Sequence, residues 1–167
     1  MKLEEMEKEI EKLAEIEDYL AKRDWKDFEA IVAGIFERHG FSCEIRRRFK
    51  VKNKRFEIDV IAVRGEKLML IECKRWGRGR YKKYQLKIAA ERLKEKGKLY
   101  LEKILPAQKE EKRCARAMNV LLLVVTLCEE DLLVHERVIF VPIWKLNSFL
   151  LQLDELDLPW IKLTPCS

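Results

Sequence analysis

The segment Val120-Leu121-Leu122-Leu123-Val124-Val125-Thr126-Leu127 carries no charge and a single hydroxyl, and it constrains the fold more than any other stretch. It reads as a strand that is apolar on both faces. Such a strand has to be covered from both sides, as when helices flank a largely parallel sheet. The same run is far short of the roughly 20 apolar residues that cross a bilayer. The opening Met1-Lys2-Leu3-Glu4-Glu5 is acidic and amphipathic, without the apolar core of a signal peptide. A cytoplasmic chain with no membrane partner is therefore expected.

Elsewhere the hydrophobic period changes along the chain. Residues 2–22 read as a charged amphipathic helix, with Leu3, Met6, Ile10, Leu13 and Leu20 on one stripe. That stripe suits packing on the parent domain or a short coiled-coil dimer. The chain thus divides into an N-terminal helix, residues 1–23, and one domain, residues 24–167. Asp24 suits the N-cap of a helix from Trp25 to His39, with Gly40 just past its end. Phe28, Ile31, Val32, Ile35 and Phe36 form its buried face, and Glu29 lies beside that stripe.

From Phe41 the period becomes two. Phe41–Val51 reads as a strand with Arg46, Arg48 and Lys50 on a basic outer face. Phe56–Val63 and Lys67–Lys74 read as a hairpin around Gly65-Glu66, where a leading glycine suits a type II′ turn. A basic, glycine-punctuated stretch follows, and then a helix over Tyr81–Lys96 with Leu86, Ala89, Ala90 and Leu93 inward. Pro106 splits the next segment, and Ala107–Met118 reads as a further helix. Val138–Val141 is another strand, and Ile143–Leu153 a closing helix. This order predicts an α/β/α sandwich with a central mixed sheet of about five strands.

The 167 residues carry a net charge of +6, unevenly placed. Residues 42–83 hold fifteen Lys and Arg against five Asp and Glu, whereas residues 1–24 hold five against nine. A concentrated basic tract is the footprint of a phosphate-backbone binder, or else a solvated face. The five cysteines show no paired two-residue spacing, and neither His39 nor His135 sits at zinc-ligand spacing. They read as reduced and mostly buried. A wealth of Lys and Glu, with few Asn and Gln, leans towards a thermophilic source.

The two-residue turn sets Arg64 opposite Lys67, and the antiparallel register then sets Asp59 opposite Glu72. Directly opposed side chains have Cβ atoms about 5 Å apart. Two carboxylates that close repel each other, and burial adds to the cost. Mg²⁺, which takes carboxylate, water and phosphate oxygens, offsets both. Alternation puts Lys74 on the face of Glu72, where an ammonium can stabilise a phosphate or help position an attacking water. The Cys73 carbonyl between them is a candidate further metal ligand, its thiol a core group. The competing reading is a solvated strand with an ordinary Glu72–Lys74 salt bridge.

Phe56-Glu57-Ile58-Asp59-Val60-Ile61 followed by Leu70-Ile71-Glu72-Cys73-Lys74 resembles the signature of the PD-(D/E)XK nucleases. The nearest flavour is that of archaeal Holliday-junction resolvases and Mrr-type restriction endonucleases. The helix through Glu29, running into Gly40-Phe41, also matches their pattern. The likeness covers about residues 25–95, with Ile58 where the motif usually has proline. It implies a restriction-endonuclease-like fold and metal-dependent DNA cleavage. By it, Asp59 and Glu72 bind Mg²⁺ or Mn²⁺, Glu29 supports the site, and Lys74 serves the nucleophilic water.

Arg75, Trp76, Arg78, Arg80, Lys82 and Lys83 are candidate DNA contacts, and Trp76 can stack on a base or pack under the crossover. Arg46, Arg47 and Arg48 are candidates for the groove's other side. Glu57 either joins the acids or pairs with Arg55 or Arg75; Gln85 is an accessory polar residue or a solvated one. Cutting both strands symmetrically calls for a homodimer. The alternative function is a nucleic-acid or protein-binding module of the same fold.

Overall fold

The computed structural model describes residues 22, 24–75, 82–106, 117–128 and 133–163. The expected N-terminal helix, the stretch with Trp76, Arg78 and Arg80, and most of Ala107–Met118 lie outside the described residues.

Helix α1 (Trp25–Arg38) begins at Asp24 and stops where the sequence places Gly40. There Gly40 has φ +83°, and the Gly40 and Phe41 amides donate to the Glu37 and Phe36 carbonyls. That pair of bonds closes a helix end and is open to a glycine at no steric cost. The chain then forms β1 (Ser42–Val51), β2 (Lys54–Arg64) and β3 (Lys67–Lys74). The β2–β3 turn has positive φ at Gly65 but not at Glu66, as a type II′ hairpin requires, and Arg64 pairs with Lys67.

Helix α2 (Lys82–Leu99) crosses back and runs on into a π-helical turn, Tyr100–Ile104. The crossover helix is therefore longer than its sequence pattern indicated. Tyr100, almost fully buried, extends its inward stripe beyond Lys96. Strand β4 (Met118–Thr126) lies parallel to both β3 and β6 (Val138–Pro142), and helix α3 (Ile143–Leu151) follows. Met118, assigned from sequence to a helix, opens β4 instead and is buried.

Two short strands bring the sheet from the expected five to seven: β5 (Val134–His135) and β7 (Ile161–Leu163). The order is β1-β2-β3-β4-β6-β5, with β7 pairing β4. Both faces are covered. Phe28, Phe36, Met69, Ile71, Leu121 and Leu123 pack under α1 and α3. Leu70, Leu86, Leu93, Tyr100, Leu122 and Val124 pack under α2. The result is an α/β/α sandwich around a mixed sheet with β4 at its centre, the architecture expected from the sequence. Among the described residues no helix is long and apolar enough to cross a membrane.

One rung of the sheet is irregular. Ile45 pairs with Val60 and Arg47 with Ile58, yet Arg46 between them has φ +54°. Across this rung the strands exchange faces. Val60 and Cys43 pack with the α1 core, whereas Ile58 and Phe49 pack with the α2 core. Regular alternation would keep residues two apart on one face. Asp59 sits at this switch. On its other side the β2–β3 ladder ends at Val60↔Ile71, so Asp59 and Glu72 occupy the next rung as the strands part.

Candidate active site

Where β2 and β3 part, the Cys73 amide would lose its ladder partner. It donates instead to Asp59 Oδ2, at 2.8 Å. Glu29 comes from the buried side of α1 and is only 4% exposed. Glu57 lies two residues before Asp59 on β2. Carboxylate oxygens of Glu29, Glu57 and Asp59 all lie within 4.8 Å of one another.

Crowding acids in this way makes ionisation unfavourable. Burial, and then the Asp59 charge, push the Glu29 carboxyl from 4.5 up to about 7. Burial, and then the Glu72 charge, push Asp59 from 3.8 up to about 6, against the opposing pull of the Cys73 amide, Lys96 and Lys74. Arginines offset part of the repulsion. Arg46 Nε is 3.3 Å from Glu29 Oε2, and Arg48 Nε is 2.6 Å from Glu57 Oε2. The Arg46 contact lacks hydrogen-bond geometry, which leaves Glu29 Oε2 buried without a hydrogen-bond partner.

Glu72 arrives from the other side of the sheet. It alternates with Leu68 and Leu70 towards α2 and is 8% exposed, unlike a residue on a solvated strand. Its Oε1 lies 2.8 Å from Lys74 Nζ, and its Oε2 bonds Lys96 of α2. The two groups of acids meet through the gap between the strands. Glu29, Glu57, Asp59, Glu72 and Lys74 line one cavity of about 260 Å³. Cys73 lines it too, with its thiol packed against the α1 core and its pKa driven well up by burial. A larger cleft of about 630 Å³ opens beside Glu57, Glu72 and Lys74 on the α2 side, where Gln85 and Arg92 reach it.

Of the residues singled out from sequence, Asp59, Glu72, Lys74, Glu29 and Glu57 line one cavity, but Asp59 and Glu72 do not oppose each other on one face as expected. The break in alternation at Arg46 sets Asp59 with Glu29, while Glu72 turns to Lys96 of α2. Arg46 and Arg48 are not free on an outer basic face; the left-handed turn at Arg46 swings its side chain onto Glu29, and Arg48 lies on Glu57. Arg47 pairs with Glu44 at 3.1 Å. Arg75 lines the acidic cavity, Lys82 is buried, and Lys83 is exposed. Lys96 was missed. Its signal is a lysine three residues after Leu93, on the inward stripe that continues through Gly97 and Tyr100.

A family model described as a restriction endonuclease, of the Mrr catalytic type, matches residues 20–98. That span holds Glu29, Asp59, Glu72 and Lys74. The chain belongs to the restriction-endonuclease-like PD-(D/E)XK nuclease superfamily.

This PD-(D/E)XK chain is 32% identical over 134 residues to a protein of Archaeoglobus fulgidus named only as uncharacterized. The match spans 77% of this chain and 91% of that one. Two solved structures are also similar. One, protein of unknown function AF1548, is 22% identical, with TM-score 0.35 over 59% of this chain and 44% of its own. The other, protein VC1899 from Vibrio cholerae, is 14% identical, with TM-score 0.41 over 78% of this chain and 33% of its own. The chain thus spans less than half the length of either. The proline of the PD-(D/E)XK motif is replaced by Ile58, which is fully buried in the α2 core.

Proposed function

We propose that this protein hydrolyses phosphodiester bonds in DNA with Mg²⁺ or Mn²⁺ bound at the acidic cluster. One observation carries this reading: buried Glu29 Oε2 has no hydrogen-bond donor, yet sits among the carboxylates of Glu57 and Asp59. A set of hard oxygen donors fits a hard divalent ion. Asp59, Glu57 and Glu29 would hold it, with Glu72 and the Cys73 carbonyl reached through the strand gap. When bound, the ion supplies the positive charge that acidifies a water and draws charge from the phosphate.

The chain's own groups do the rest. The Cys73 amide fixes the orientation of Asp59. Lys74 and Lys96 grip the two oxygens of Glu72, so that carboxylate cannot turn away. Lys74, the more exposed of the two lysines, can pass its contact from Glu72 to an attacking water or to a phosphate oxygen. Water oxygen bonds to phosphorus, the ester oxygen leaves, and a proton passes to the leaving oxygen.

Labelled DNA substrates (linear, branched and single-stranded) incubated with Mg²⁺ or Mn²⁺ test the reading. Cleavage is expected, and is expected to vanish with chelator and in Asp59→Ala. Cleavage that survives both changes would remove the assignment.

A second reading has an observation of its own. Arg46, Arg48, Lys74 and Lys96 already compensate three of the four acids. A chain so balanced can stand without an ion, as a module that only binds nucleic acid. Calorimetric titration separates the two readings: saturable Mn²⁺ uptake supports the nuclease, and its absence alongside salt-sensitive DNA binding supports the module.

A further inference from the structure

Between Arg46 and Arg55, seven of ten residues are Lys or Arg, and none is Asp or Glu. Blocks of like charge are commonly disordered tails. This one is folded, as the outer half of the β1–β2 hairpin. Lys52 and Asn53 form its two-residue turn, with φ of +47° and +65°, between paired Val51 and Lys54. Positive φ at both central positions is the type I′ arrangement, which favours Asn-Gly. A Cβ is disfavoured in that conformation. A lysine therefore stands where glycine would fit with less strain.

The register adds a second cost. Lys50 sits directly opposite Arg55, on the same face as Arg48. Like charges opposed across an antiparallel pair destabilise it. Among the described residues, Lys50, Lys52 and Arg55 have no acidic partner. Lys54 approaches Glu95 only to 3.9 Å. Lysine on an edge strand also deters strand-to-strand aggregation. That accounts for Lys50, but not for Arg55 on β2 or Lys52 in the turn.

The root of this arm is fixed. Phe49 and Phe56 stack with ring centroids 5.4 Å apart, and Phe49 leans on buried Tyr100 at 5.7 Å. The tip is also close to the chemistry. Arg55 precedes Asp59 by four residues, about 13 Å at a strand's rise of roughly 3.3 Å per residue. Lys54, Arg55, Glu57, Glu72 and Lys74 line the same cleft.

We propose that the hairpin tip, through Lys50, Lys52, Lys54 and Arg55, is a binding arm that enters a groove of double-stranded DNA beside the acidic site. This rests on the nuclease reading above. A two-stranded ribbon fits the major groove of B-form DNA, about 12 Å wide. The deep, narrow major groove of an RNA duplex does not admit it. The opposed cations are then explained, because a phosphate backbone on either side of the ribbon relieves their repulsion.

The test is equilibrium binding of the full chain, in chelator, to a DNA duplex, the same single strand and the matching RNA duplex across a salt series. For Lys50→Gln/Lys52→Gln/Arg55→Gln, affinity for the DNA duplex should fall at least about tenfold at 0.1 M salt, and the slope of log K against log salt should fall by about 2–3. Single-strand and RNA-duplex affinity should change far less. A turn variant guards against misfolding: Lys52→Asn/Asn53→Gly should melt higher yet bind the DNA duplex more weakly, and a general loss of structure cannot produce both. Unchanged duplex affinity and slope in the triple variant would overturn the proposal. So would an equal loss on single strand or RNA duplex. Because no cleavage is scored, a chain that binds duplex through the arm but cuts nothing defeats only the nuclease reading.

Discussion

Asp59 accepts the Cys73 amide, faces Glu29 and Glu57, and feels Glu72 through the parted strands. Its carboxyl and that of Glu29 are both raised, to about 6 and about 7. Their ordinary values lie near 4, so between pH 4 and 7 the folded chain holds protons that the unfolded chain has released. The stability these groups contribute is therefore full below pH about 4 and is lost as pH rises through their folded values. A cation that binds the ionised acids reverses that loss. Saturating Mn²⁺ should raise the melting temperature by about 5–10 °C at pH 8 and far less at pH 5. Equal shifts at the two pH values would count against metal binding at this cluster. Asp59→Asn keeps an acceptor for the Cys73 amide but carries no charge. It should stabilise the metal-free chain at pH 8 by about 1–3 kcal/mol and abolish the Mn²⁺ shift; denaturant melts with and without Mn²⁺ read both. Asp59, Glu72 and Lys74 were legible as neighbours because a two-residue turn fixes the register of β2 against β3; that Asp59 and Glu72 lie on opposite sides of the strand gap was not, because alternation breaks at Arg46. The Arg46–Glu29 contact was not, because it depends on a single left-handed residue that no pattern announces.

Helix α2 brings Lys96 to Glu72 only because it lies close on the sheet. A Cβ built at Gly97 would sit 3.3 Å from both Leu122 Cδ2 and Leu70 Cδ1, so the neighbours allow little more than hydrogen there. Gly97→Val should overpack this contact, costing about 1–3 kcal/mol in a denaturant melt. Lys96→Met asks about the charge instead. Glu72 would keep Lys74 but lose the bond to its second oxygen, for a loss of about 1–3 kcal/mol. Removing a cation from beside the acids should also tighten Mn²⁺ binding several-fold, measured by calorimetry. Weaker or unchanged Mn²⁺ binding would place Lys96 outside the site's electrostatics. Elements with a clear period were found from sequence within a few residues: α1, β2, β3 and β4 are examples. The two added strands, β5 and β7, have two and three residues, too short to show any alternation. Lys52-Asn53 was passed over as a turn because it lacks the glycine that marks a type I′ hairpin.

Over the whole molecule, charge and chemistry share one edge of the sandwich. Among the described residues much of the basic excess is carried by β1, β2 and β3, and the acids lie inside that tract where β2 and β3 part. Sequence exposed this much because covering β4 on both faces leaves few ways to order the remaining elements. It could not show that the acids divide between the two faces, joined only through the strand gap. Each chain has one such cluster among its described residues, and the two strands of a duplex run in opposite directions. On the nuclease reading proposed above, a single site that fits one strand must be presented again, turned about, to cut the other, so cutting both strands in one encounter calls for two chains related by a two-fold axis. A supercoiled plasmid with Mg²⁺ should therefore pass first to the nicked circle, at a rate proportional to protein concentration. Linear product should follow with a steeper, near second-order dependence. Gel analysis over a protein dilution series reads both rates, and linear product formed without a nicked precursor at the lowest concentrations would show a preformed pair.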